Sequence, residues 1–147
     1  PIASNETLIV VPPDAILTDD GMGIEGQEYG ILKCPTVRRL LKEMKLGNDS
    51  KFAPYMDYLK TQSYGQLPNG WSAAGKQLLL QVLGQHDEDE ENDLPPGNPV
   101  DLIEKEWKLD CGGGDDPFEY QAALLLAQRG WDDIMIPVYD LLNHRNG

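Results

Sequence analysis

The chain has 147 residues, with 12 Lys and Arg against 25 Asp and Glu, a formal net charge of −13 and a pI near 4.3. That length fits one domain burying roughly 68–70% of its unfolded surface, and 40% hydrophobic residues support a packed core over wholesale disorder. The charge argues against a basic surface for nucleic acid or anionic lipid, and no apolar run approaches the roughly 20 residues of a membrane span.

Thr7-Leu8-Ile9-Val10-Val11 is a short β-branched apolar run closed by Pro12-Pro13, which predicts a strand entering a turn. Asp19 to Gly30 holds four glycines and reads as loop. A first helix follows, with Pro35 in its first turn, Val37, Leu40, Leu41 and Met44 on one face, and Gly47 past its end. Lys51 to Leu59 predicts a short helix whose aromatic side, Phe52, Tyr55 and Tyr58, packs inward. Ser72 is a good N-cap for a helix closing at Gly84.

Asp87 through Glu91 are five consecutive acids, so 86–96 reads as an exposed, self-repelling loop; the alternation and glycine of a calcium loop are missing. Asn98-Pro99 starts a helix through Trp107, ended by Cys111-Gly112-Gly113-Gly114. The last helix is the best defined: Asp116 caps it, Pro117 opens it, Glu119 adds first-turn negative charge and Gly130 ends it. Phe118, Ala122, Leu125 and Arg129 share one face, which places a guanidinium at the end of an apolar stripe. Such a group needs an anion or carbonyl partner, and the helix's own last carbonyls are the local choice. Ile134 to Val138 predicts a short buried strand leading into Asp140-Leu141-Leu142-Asn143-His144.

Cys34 and Cys111 permit one disulfide without requiring it; two small buried thiols are the other reading. Asn5-Glu6-Thr7 and Asn48-Asp49-Ser50 fit the glycosylation triplet, which has meaning only on a secretory route. No signal peptide stands in the sequence, and an opening at Pro1 is compatible with earlier removal of one, or of a transit peptide. Two cysteines and two well-separated histidines build no compact zinc pattern. Gly21-Met22-Gly23-Ile24-Glu25-Gly26 has the spelling of a dinucleotide fingerprint but not its context, since no strand feeds it and no helix follows. Asp140, Asn143 and His144 offer acceptors, donors and a ring directly after the predicted strand, where a ligand could meet them; a local capping turn is the plainer reading.

The stretch Val138-Tyr139-Asp140-Leu141-Leu142-Asn143-His144 resembles the Asp-x-x-Asn-His signature of SET-domain methyltransferases, in particular the Rubisco large-subunit lysine methyltransferase group. Thr7 to Thr18 is similar to that group's early strand and the segment after it. Ser50 to Leu59 is similar to its Ser-x-Trp-x-Pro-Tyr-Leu-Asp-x-Leu segment, and Pro68-Asn69-Gly70-Trp71 to its Pro-x-x-Trp. Phe118 to Arg129 corresponds to the helix that ends in a Ser-Arg pair, with Gln128 here in place of the serine. These stretches span nearly the whole chain in the family's order.

The resemblance implies an α+β fold: a partial SET β-framework in 1–30 and 131–147 around a mostly helical insertion, 31–130, that carries the acidic loop 86–96. It implies that Arg129, Asp140, Asn143 and His144 line an S-adenosylmethionine pocket, through charge-assisted contacts to the cofactor's carboxylate, ammonium and adenine edge. It also implies a Gly-x-Gly cofactor loop ahead of the first strand and a catalytic tyrosine beyond the Asn-His pair. None of Tyr29, Tyr55, Tyr58, Tyr64, Tyr120 or Tyr139 falls at that place, so no catalytic residue is assigned. The sequence therefore favours a truncated, non-catalytic SET-like subunit whose exposed sheet edges are covered by protein partners. The alternative is a fragment of an S-adenosylmethionine-dependent lysine or histidine N-methyltransferase acting on a protein substrate. A small acidic subunit of a plastid assembly, in stroma or thylakoid lumen, fits the first reading; cytoplasm and nucleus stay open.

Overall fold

A computed structural model of the chain describes residues 6–19, 32–63, 68–82, 102–131 and 134–142. Helix α1 (Cys34–Leu46) has Pro35 in its first turn, where a missing N–H breaks no hydrogen bond, and ends on Gly47 at φ 55°. Thr36, Val37, Leu40, Leu41 and Met44 form its buried side. A 3-10 turn (Gly47–Asp49) passes the chain to α2 (Ala53–Lys60), which buries Tyr55, Met56 and Leu59, with Phe52 buried just ahead of it. Helix α3 (Ala73–Val82) is capped as expected, Gly75 N–H donating to Ser72 Oγ over 3.2 Å, and has no buried residue. Helix α4 (Leu102–Lys105) continues as a π-helical stretch, Glu106–Asp110, then α5 (Pro117–Arg129) and one-turn α6 (Pro137–Asp140) follow.

The core lies where α1 meets α5. Five successive α5 residues, Ala122 to Leu126, are buried, and the two alanines let the helices approach closely. Trp107, Ile103, Leu17, Leu32 and Met135 close the cluster around them. Cys34 and Cys111 are joined in a disulfide, with Cα atoms 5.2 Å apart, tying the start of α1 to the end of the π-helical stretch. No helix among the described residues is long and apolar enough to cross a membrane.

The α+β expectation is corrected. The molecule is mostly helical, and the described residues contain no strand. Sheet-like pairing is confined to two isolated antiparallel bridges, Leu17 with Met135 and Trp131 with Ile134. The apolar run after Glu6 pairs with no strand among the described residues: Leu8, Ile9 and Val10 are exposed, and Pro12-Pro13 cannot donate to a ladder. The run from Ile134 stops pairing after Met135, because Pro137 presets helical φ and opens α6. Without a sheet there are no described sheet edges for a partner to cover. Asn98-Pro99, Gly84, the glycine-rich loop beyond Asp19 and the acidic loop 86–96 lie outside the described residues.

Candidate functional site

Arg129 is delivered by the architecture of α5. Asp116 accepts from Phe118 N–H at 2.9 Å and fixes the helix start, while the apolar face locks its middle. At its end Gly130 N–H donates to Leu126 O at 2.7 Å; a Cβ on Gly130 would lie 2.6 Å from that oxygen, so the exit requires glycine. Trp131 and Ile134 then exchange backbone hydrogen bonds of 2.8 and 3.0 Å, and Met135 exchanges two of 2.8 Å with Leu17. This tight return sets α6 beside the end of α5 and brings Asp140 to Arg129 across eleven residues.

Arg129 Nη1 donates to Asp140 Oδ1 at 2.9 Å and Oδ2 at 3.1 Å, and to Tyr58 Oη at 3.0 Å. Its Nη2 donates to Gln62 Oε1, and the guanidinium carbon stands 5.2 Å from the Tyr58 ring centre. Tyr55 Oη donates to Asp140 Oδ2 at 2.8 Å, and the Tyr55 and Tyr58 rings stack at 6.1 Å. The charged pair is largely withdrawn from water, with side chains 13% and 11% exposed. Burial alone would lower the Arg129 pKa; the adjacent Asp140 carboxylate outweighs it and holds the guanidinium above its ordinary value. The Tyr55 phenol is pushed well above its ordinary value, first by burial and then by its hydrogen bond to Asp140.

Both carboxylate oxygens and both terminal guanidinium nitrogens thus make bonds inside the protein, while Arg129 Nε is buried with no hydrogen-bond partner among the described residues. A cavity of about 170 Å³ opens onto the pair, and Arg129 and Asp140 line it together with Trp131, Ile136, Tyr139 and Leu142. Trp131 meets Tyr139 edge-on at 5.7 Å. The cavity is smaller than the roughly 300 Å³ at the low end for pockets that enclose a drug-sized ligand.

Of the four residues expected to line a cofactor pocket, Arg129 and Asp140 come together but face each other, and Asn143 and His144 lie outside the described residues. In this arrangement Asp140, Tyr58 and Gln62 already take hydrogen bonds from the terminal nitrogens of Arg129, so a cofactor carboxylate would have to use its remaining N–H groups or displace one of these partners. Sequence reasoning missed Tyr55, Tyr58 and Gln62 as partners. The signal for the two tyrosines was present in the inward aromatic side of α2; Gln62 lies two residues past the end of that helix and carried no such signal. Of the two partners left open for Arg129, an anion or its own helix's carbonyls, the structure supplies the anion, Asp140; an opposite charge compensates a desolvated guanidinium better than a neutral dipole.

A second polar network is structural. Ser50 Oγ donates to buried Glu43 at 2.6 Å and accepts from Phe52 N–H at 2.9 Å, while Arg39 pairs with Glu43 at 2.9 Å, which fixes the corner between α1 and α2. No protein-family model, curated protein or solved structure matches this chain.

Proposed function

We propose that the chain is a non-catalytic structural or interaction subunit of a larger assembly, related in sequence to the SET methyltransferase group it resembles. The observation that carries this reading is the bonding of Arg129 and Asp140 to each other and to Tyr55, Tyr58 and Gln62, which makes the pair a clasp between α5, α6 and the α2 region. A second feature agrees with it. Trp131, Val138, Tyr139, Leu141 and Leu142 are all more than two-fifths exposed, an apolar concentration typical of a surface that meets another protein.

The competing reading, part of an S-adenosylmethionine-dependent protein N-methyltransferase, draws support from one fact. Residues from three of the stretches that carry the resemblance, Tyr55 and Tyr58, Arg129, and Asp140, converge on one point. Calorimetric titration of the full chain with S-adenosylmethionine to about 1 mM separates the two, since that range reaches even weak affinity. The clasp predicts no saturable heat. Saturable heat that disappears in Arg129→Gln would move the chain to the enzyme reading.

A further inference from the structure

The flank of α1 that borders the core at Leu41 carries most of the helix's cations. Arg38, Leu41, Lys42, Lys45 and Leu46 follow each other at helical spacing and line one groove of about 440 Å³. Three cations, Arg38, Lys42 and Lys45, line it, while the neighbouring Lys33 and Arg39 are paired with Asp19 and Glu43. The acid within α1, Glu43, is buried and engaged by Arg39 and Ser50, so it does not neutralise the groove. On a chain of net charge −13 this is a local reversal of sign.

The residues of the groove divide by role. Arg38 is fixed: its guanidinium donates to Cys111 O and sits 5.9 Å from the centre of the Trp107 ring. Lys45 is held loosely by Glu119 at 3.7 Å, a distance at which an exposed pair contributes little. Lys42 is exposed and pairs with no described carboxylate. Leu41 forms a buried floor and Leu46, 43% exposed, an apolar flank. A cationic rim over an aliphatic floor suits a partner that carries carboxylates and apolar anchors together at helical spacing.

We propose that this groove takes an acidic amphipathic helix from a partner protein, its carboxylates on Lys42 and Lys45 and its apolar anchor against Leu41 and Leu46. A phosphate polymer is a poorer match, because it would leave the apolar floor of Leu41 and Leu46 empty. This inference rests on the reading of the chain as an interaction subunit, and the two fail separately: the cofactor titration tests that reading and does not involve α1.

The probe is a labelled peptide of roughly 15 residues with glutamates and two leucines four apart, titrated with the full chain by fluorescence anisotropy. The expected result is saturable binding, weakened at least about tenfold by the double change Lys42→Glu, Lys45→Glu. It should also weaken between about 50 and about 300 mM salt in the unaltered chain, and fall several-fold when the peptide leucines become serines. Absence of saturable binding would overturn the proposal. So would equal binding by the charge-reversed chain with an unchanged circular dichroism spectrum, or equal affinity for a DNA duplex or an anionic vesicle.

Discussion

At the level of single residues, Tyr55 shows how the clasp couples to pH. The folded chain keeps the phenol protonated where the unfolded chain gives its proton up, so the contribution is complete below about pH 10 and is lost as pH rises above it. Tyr55→Phe removes this dependence and also leaves Asp140 Oδ2 without its 2.8 Å donor. It should lower stability by about 2 kcal/mol at neutral pH, in the range for a hydrogen bond to a charged group. Urea unfolding at about pH 7 and about pH 10.5 checks both parts; an unaltered fall above pH 10 in the variant would assign the alkaline loss elsewhere. The sequence made the need of Arg129 for a partner plain, since it ends an apolar stripe. The identity of that partner was not legible, because it depends on a reversal of the chain at Gly130 and Trp131 that no local pattern encodes.

The π-helical stretch makes the same point for an element. Cys111 N–H donates to Glu106 O at 2.9 Å, the five-residue step of a π-helix, and Glu106 itself accepts from Leu32 N–H at 2.9 Å. The chain then turns back over Trp107: Gly112 takes φ 62°, and Gly113 N–H donates to Trp107 O at 2.8 Å. A Cβ at Gly113 would stand 2.1 Å from the indole, which is 2% exposed and has no room to yield. Gly113→Ala should therefore cost about 3 kcal/mol, the upper end for overpacking a core, read as a lower urea midpoint with an unchanged slope. Three successive glycines signalled a helix end correctly; that the middle one seats a tryptophan is a tertiary fact. Helices α1, α2, α3 and α5 were legible from different signals: a first-turn proline in α1, α2 and α5, a closing glycine in α1 and α5, a side-chain cap in α3 and α5, and apolar spacing in α1 and α5. The two predicted strands failed because a short apolar run does not supply its own partner: Leu8 to Val10 stay exposed, and the run from Ile134 makes single bridges and no ladder among the described residues.

For the molecule as a whole, the disulfide closes a loop between residues 77 apart, from the head of α1 to the segment that carries Trp107. Chain entropy alone assigns such a closure about 4 kcal/mol. Replacing both Cys34 and Cys111 by serine should lower the unfolding free energy by up to that amount and make it insensitive to dithiothreitol, whereas the unaltered chain loses stability on reduction. Equal stability of reduced and oxidised chains would show that the helices hold themselves together. Composition left thiol and disulfide equally open, because a separation of 77 residues says nothing about distance in space.

The account turns on Arg129 and Asp140 being bound to each other and not reserved for a ligand. A double-mutant cycle with Arg129→Ala and Asp140→Ala, followed by urea unfolding, measures that bond directly. The clasp predicts a loss of about 3 kcal/mol for either single change and a coupling of at least about 2 kcal/mol between them. A coupling within about 0.5 kcal/mol of zero would contradict the clasp and return both side chains to the search for a ligand.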